Sequence, residues 1–227
     1  MFINQKHISK YNARLLSRFI EPLNFQNEML TPDGSLNSII YNTKLGRKTL
    51  NVTIEFHGLA HEILDNKSRL TKEFLDNPVI SFRAIPNRFF EGYVESMSIG
   101  EQNYLFETLD VSLTVVEKSE PLIRNFTNNV TIDLYSTMET PVVIEITPNE
   151  DAESITITGF EDDITINNIK AGRKITIDSE YSIVIEEGVN KFPDYNSWGF
   201  PRLKVGRNNI HVSGNNNVRI LYSPRWL

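Results

Sequence analysis

Between residues 130 and 222 the sequence repeats one theme: a short run rich in Val, Ile and Thr, then Gly, Asn or Asp. The runs are Val130–Leu134, Val142–Ile146, Ile155–Thr158, Ile164–Asn167, Lys174–Asp178, Tyr181–Glu186, Asn209–Ser213 and Val218–Tyr222. β-Branched side chains are stiff at χ1 and pack well on a pleated surface. Runs this short, spaced roughly ten residues apart by turn formers, are the pattern of antiparallel strands in a β-sandwich. At the end, Gly206–Asn209 and Ser213–Asn217 are two turns, and a terminal hairpin with Ile210, Val212, Val218 and Ile220 on one buried face is expected.

The first half has a different texture. Leu50, Val52, Ile54 and Phe56 alternate with polar residues across Lys48–His57, the period of a half-buried strand. Beyond Gly58, the residues Leu59, Ile63, Leu70, Phe74 and Leu75 recur at helical spacing and predict one amphipathic helix, with a break conceivable at Asp65-Asn66. Pro78 ends it, because the residue before proline avoids the helical region. Ala13–Ile20, Val79–Ile85, Phe90–Ile99 and Tyr104–Val116 read as further strands, the last two joined by a hairpin at Gly100–Asn103. Residues 21–47 interrupt this core with a long excursion. Pro32-Asp-Gly34 is a turn, since Pro presets φ and Gly permits a positive one. With Met29, Leu30, Ile39 and Ile40 flanking it, the segment reads as a hairpin arm, the alternative being an ordinary surface loop.

A chain of 227 residues can hold one large domain or two modest ones. The polar stretch Glu117–Pro121 is the natural seam and gives domains of 1–118 and 119–227. The first carries 13 Lys/Arg against 14 Asp/Glu, the second 10 against 15. A net charge of -6 argues against phosphate-backbone binding, so no nucleic-acid partner is expected. With no Cys, disulfides, thiolate metal sites and thiol nucleophiles are excluded. The apolar runs are too short to cross a bilayer, so no membrane insertion is expected. Met1–His7 has no apolar stretch of signal-peptide length, which predicts synthesis into a cytoplasm.

Catalytic chemistry finds little footing. His57 and His61 are four residues apart, but a metal site needs further ligands and none is spaced to supply them. Glu161, Asp162 and Asp163 could serve hydrolysis or hold calcium, yet a solvated acidic turn explains them better. Phosphate-loop, nucleophile-elbow and dinucleotide patterns do not occur, so the chain is expected to be no enzyme and to carry no cofactor or metal. The segment Phe192–Pro201 concentrates four aromatics and two prolines. Phe192, Trp198 and Phe200 are expected to close one end of the sandwich core. Two other readings stand beside that one: Tyr195 and Trp198 as a platform on which a sugar ring stacks, or as anchors of a subunit contact.

The C-terminal stretch carries a resemblance. Trp198-Gly-Phe-Pro-Arg-Leu-Lys-Val-Gly-Arg-Asn-Asn-Ile-His-Val-Ser-Gly214, then Val218-Arg-Ile-Leu-Tyr222 and Arg225-Trp-Leu227, resembles the ending of the distal tail protein (Dit) family of long, non-contractile-tailed phages and prophages of Gram-positive bacteria. The N-terminal half is similar too, in Pro32–Ser35, Gly46-Arg47, the strand Leu50–Phe56, the helix and Pro86–Val94. The resemblance implies a mainly β chain with one helix: a tail-tube-like N-terminal β domain with a projecting arm, then a galectin-like β-sandwich. It implies a homohexameric ring in which the arm, through Met29, Leu30, Ile39 and Ile40, reaches onto the neighbouring copy. It further implies a hub that joins the tail-tube protein to a tail-tip, tail-associated or receptor-binding protein. Such a protein assembles in the host cytoplasm and ends at the virion tail tip. The competing expectation is a glycan-binding module that attaches the particle to a cell-wall polysaccharide through Tyr195 and Trp198.

Overall fold

The computed structural model describes residues 1–23, 25–33 and 38–227. It divides into two compact units, Met1–Lys118 with Leu227, and Ser119–Trp226.

The first unit is an antiparallel sheet covered on one face by a helix. Its main strands are β1 (Ala13–Ile20), β4 (Lys48–His57), β5 (Val79–Phe82), β6 (Ile85–Gln102) and β7 (Phe106–Lys118). The sheet runs from the short pair Lys6–His7 and Phe2–Ile3 through β5, β6, β7 and β4 to β1. The alternation of β4 is realised: Leu50, Val52, Ile54 and Phe56 are buried, opposite Leu113, Val111, Leu109 and Glu107 of β7. The helix α1 (Ala60–Phe74) lays Ile63, Leu70 and Phe74 into the same core. It runs unbroken through Asp65-Asn66. Glu62 in its first turn accepts the Leu59 N–H at 2.9 Å, meeting one of the donors that a helix start leaves unpaired.

Two expectations in this unit are corrected. The run Val79–Ile85 is not one strand: the chain turns at Arg83-Ala84, and Phe82 pairs with Ile85. In addition, β6 is 18 residues long, well beyond Phe90–Ile99, because β7 pairs along its length from Lys118 to Glu107. Cross-strand pairing, not local pattern, sets its ends.

Between the neighbouring strands β1 and β4 the chain leaves the sheet as a separate two-stranded ribbon, β2 (Phe25–Leu30) with β3 (Ile39–Leu45). The ribbon is the arm expected at 21–47. The Pro32–Gly34 turn falls partly on residues 34–37, outside those described. At the root, Glu21 donates its N–H to Thr49 O at 2.8 Å, and Asn51 donates to the Glu21 carboxylate at 2.9 Å.

The second unit is a two-layer β-sandwich. One sheet holds β8 (Leu122–Phe126), β10 (Thr140–Pro148), β13 (Ile175–Asp178), β14 (Ile183–Glu186) and β16 (Asn216–Tyr222), in the order β8-β16-β10-β13-β14. The other holds β9 (Asn129–Leu134), β11 (Ala152–Thr158), β12 (Ile164–Ile169) and β15 (Gly206–Val212), in the order β9-β15-β11-β12. Inward-facing Ile, Val and Leu from both sheets make one core. The expected terminal hairpin is overturned. β15 pairs with β9 and β11, whereas β16 pairs with β8 and β10, so Ser213–Asn215 carries the chain from one sheet to the other. Ile210, Val212, Val218 and Ile220 are all buried, but they face the core from opposite layers.

Candidate assembly and binding surfaces

The ribbon β2–β3 follows from its pairing. Phe25 lies opposite Leu45, Asn27 opposite Thr43, Met29 opposite Ile40 and Leu30 opposite Ile39, with a bulge after Glu28. Near the root the pairs are polar and bonded: Thr43 donates to Asn27 at 2.8 Å, Asn42 to Glu28 at 2.9 Å, and Lys44 forms an ion pair with Glu28. Lys44 first, and Asn42 second, hold the Glu28 carboxyl below its ordinary value. Toward the tip, two successive apolar pairs replace them. Successive pairs point to opposite faces of a ribbon, so both faces are apolar there. Met29, Leu30, Ile39 and Ile40 are 54 to 60% exposed. Phe25 and Tyr41 are exposed as well. Neither stands out in the sequence. Phe25 is followed in sequence by the polar run Gln26–Glu28 and meets its apolar partner Leu45 only across the ribbon, and Tyr41 is the residue that the bulge leaves without a partner. Among the described residues the ribbon strands pair only with each other.

A second apolar spot in this unit lies at the β6–β7 tip, where Tyr104 and Leu105 are exposed beside Ala60 and Ile63 of α1. The sequence pattern places both in a strand from Tyr104 to Val116, but the strand begins at Phe106, so the two stand in the turn instead.

In the second unit, the aromatic segment is only partly core. Tyr195 and Phe200 pack against the sandwich interior, and Phe192 is half exposed. Trp198 is 98% exposed, which corrects the expectation that it closes the core. Tyr195 is held on both sides of its chemistry. Its ring stacks with Phe200 at 5.3 Å and Phe192 at 5.9 Å between centroids, and its hydroxyl donates to Gly199 O at 2.6 Å. Burial pushes its phenol above the ordinary value, and the Asp162 carboxylate adds to the rise. Tyr195 thus buttresses the loop, while Trp198 stands free on it.

The remaining candidates do not converge. His57 pairs with Glu55, while His61 lies exposed on α1. Glu161, Asp162 and Asp163 are all exposed on the turn between β11 and β12. Among the described residues no cluster of three His, Asp or Glu is placed to hold a metal ion. Among the described residues no helix is long and apolar enough to cross a membrane.

Comparison with known proteins gives these surfaces a context. Residues 135–226 match the siphovirus-type tail component family, C-terminal domain. No curated protein matches the sequence. The crystal structure of the Dit protein of phage SPP1, described as a paradigm of the hub adsorption apparatus in phages infecting Gram-positive bacteria, superposes with a TM-score of 0.80. The two are 11% identical, over 99% of this chain and 98% of that one. A chain of the phage P2 baseplate in its activated conformation with Ca superposes at 0.56, with 9% identity over 96% of this chain and 92% of that one. The same baseplate with Sr gives 0.55, with 9% identity over 95% and 91%. At these identities the likeness is one of fold. Residues 135–226 therefore carry the C-terminal domain of the siphovirus-type tail components, and the chain as a whole has the fold of the phage distal tail protein Dit.

Proposed function

We propose that this protein is a structural hub at the distal end of a phage tail: a ring of six copies that joins the tail tube to the tip or baseplate. Its work is assembly, not catalysis. Its partners are further copies of itself, a tail-tube protein above, and a tail-tip, tail-associated or receptor-binding protein below. The ring forms in the host cytoplasm and resides at the virion tail tip.

The observation that carries this reading is the ribbon β2–β3. A two-stranded ribbon is marginally stable in water by itself. This one presents apolar side chains on both faces of its tip, at Met29, Leu30, Ile39 and Ile40, with nothing described covering either. Seating the tip on a neighbouring copy buries those faces, at roughly 25 cal/mol for each Å² of apolar surface removed from water. A contact in which the arm of one copy meets a different surface of the next is head-to-tail, and it closes into a ring when the rotation closes. The Dit fold of the whole chain supports the same assignment.

Light scattering on the purified chain over a concentration series tests it. The expected species lies near 157 kDa, six times 26.1 kDa. Ile39→Asp with Ile40→Asp places charge at the tip and is expected to return the mass to the monomer, without lowering the thermal midpoint by more than about 2 °C. A 26 kDa species at every concentration overturns the self-assembling ring.

A further inference from the structure

Trp198 is the most exposed large hydrophobic side chain among the described residues. It does not sit on a loose loop. Phe192, Tyr195 and Phe200 form a near-parallel aromatic array beneath the segment, with centroids 5.3 to 6.2 Å apart. Tyr195 and Phe200 are packed on the sandwich core. The Tyr195 hydroxyl bonds to Gly199 O and closes the chain around Trp198 into a small ring. The backbone that carries the indole is therefore fixed, and the indole itself is bare. The acidic turn lies beside the next residue along the chain: a Cβ on Gly199 would stand 3.9 Å from an Asp162 carboxylate oxygen, and Glu161 and Asp163 flank Asp162 in sequence.

From this juxtaposition we infer that Trp198 and Asp162 form a binding site for an uncharged pyranose of a surface polysaccharide. A pyranose has one face of C–H bonds and a rim of hydroxyl donors. The indole offers a flat π-face for the first. A carboxylate is an acceptor for the second and can take two hydroxyls at once. A nucleobase also stacks on indole, but its phosphates meet three carboxylates on one turn. Phosphodiester-linked wall polymers meet the same repulsion. A protein partner fits less well, because a hot-spot anchor is ringed by residues that exclude water, and Trp198 follows the polar Asn196 and Ser197 and precedes Gly199, the residue that the Asp162 carboxylate approaches. The site lies in the second unit and does not depend on the arm.

The test is a titration of the full chain carrying Trp226→Phe, so that Trp198 is the remaining indole. The probes are neutral oligosaccharides of glucose, galactose and N-acetylglucosamine, with poly(glycerol phosphate) as the anionic probe. A saturable change in indole fluorescence is expected with at least one neutral probe at millimolar concentration, and none with the anionic polymer. In Trp198→Ala, followed by saturation-transfer NMR, the affinity is expected to fall at least tenfold with thermal midpoint and solution mass unchanged. Asp162→Asn is expected to weaken the same sugar by a smaller factor. No response to any neutral probe overturns the site, as does binding that survives Trp198→Ala. A preference for the anionic polymer also overturns it, and so does a lower solution mass for Trp198→Ala, which makes the indole a protein contact.

Discussion

Gly159 directly follows β11, before the acidic turn, with φ at +99°. A Cβ there would fall 2.0 Å from Asn209 O in β15. Two costs add up in Gly159→Ala: an angle that L-residues rarely adopt, and backbone pushed against backbone. A loss of about 2–4 kcal/mol is expected, read from urea unfolding followed by tryptophan fluorescence. The same scale shows what sequence could and could not say. Leu50, Val52, Ile54 and Phe56 were legible, because alternation and burial are one fact in a strand. Trp198 was not. Large aromatics usually go inside, and only the bond from the Tyr195 hydroxyl to Gly199 O shows which ring of the segment is left out.

At the scale of elements, local pattern gave the existence of strands and helix better than their partners. The strands β15 and β16 have the spacing of a hairpin and belong to different sheets. Nothing in the turn between them distinguishes pairing from crossing. Likewise the turn at Arg83-Ala84 has neither Gly nor Pro to announce it. The strand β8, with Arg124 in a sheet-edge position, lacks alternation altogether, so no sequence period announces it. The arm was legible because Pro, Asp and Gly separate two apolar pairs, though its bulge was not. One tie between elements sets a pH dependence. The end of α1 is fastened to the N-terminal segment through Glu73, which pairs with Lys6 at 2.7 Å and accepts from the Tyr11 hydroxyl at 3.0 Å. Asn4 bonds to the Glu73 carbonyl at 3.0 Å. Lys6 first, then Tyr11, hold the Glu73 carboxyl below its ordinary value, against the opposing effect of burial. A carboxyl held low stabilises the fold above its unfolded value near 4.5, and that contribution is lost as pH falls through the lowered folded value. Thermal melts from pH 7 down to pH 3 are expected to drop below pH 4.5. The drop should be smaller in Glu73→Gln, which is less stable than the parent at pH 7 and has no charge to lose.

For the whole molecule, two separate cores follow from the burial pattern. Val, Ile and Leu of the sandwich pack among themselves, and the helix-covered sheet has its own cluster. A fragment of residues 119–227 is expected to fold alone, giving a β-type circular dichroism spectrum and one cooperative melt. A fragment without a melt would show that the sandwich needs the first unit. How many copies assemble is a property of surfaces, not of periodicity, and only the resemblance of the chain to a family suggested six.

The arm tip has a kinetic consequence. Under the docking reading, every open string of copies leaves one arm dangling and one seat empty. Closure of the ring fills both in a single intramolecular event. The last contact then forms at an effective concentration set by geometry, not by the amount of protein. Incomplete rings would accordingly be short-lived, with the population divided between single copies and closed rings. In such a ring the bare apolar side chains, a hazard on a free ribbon, would become the latch that seals it, at the copy number where the rotation closes.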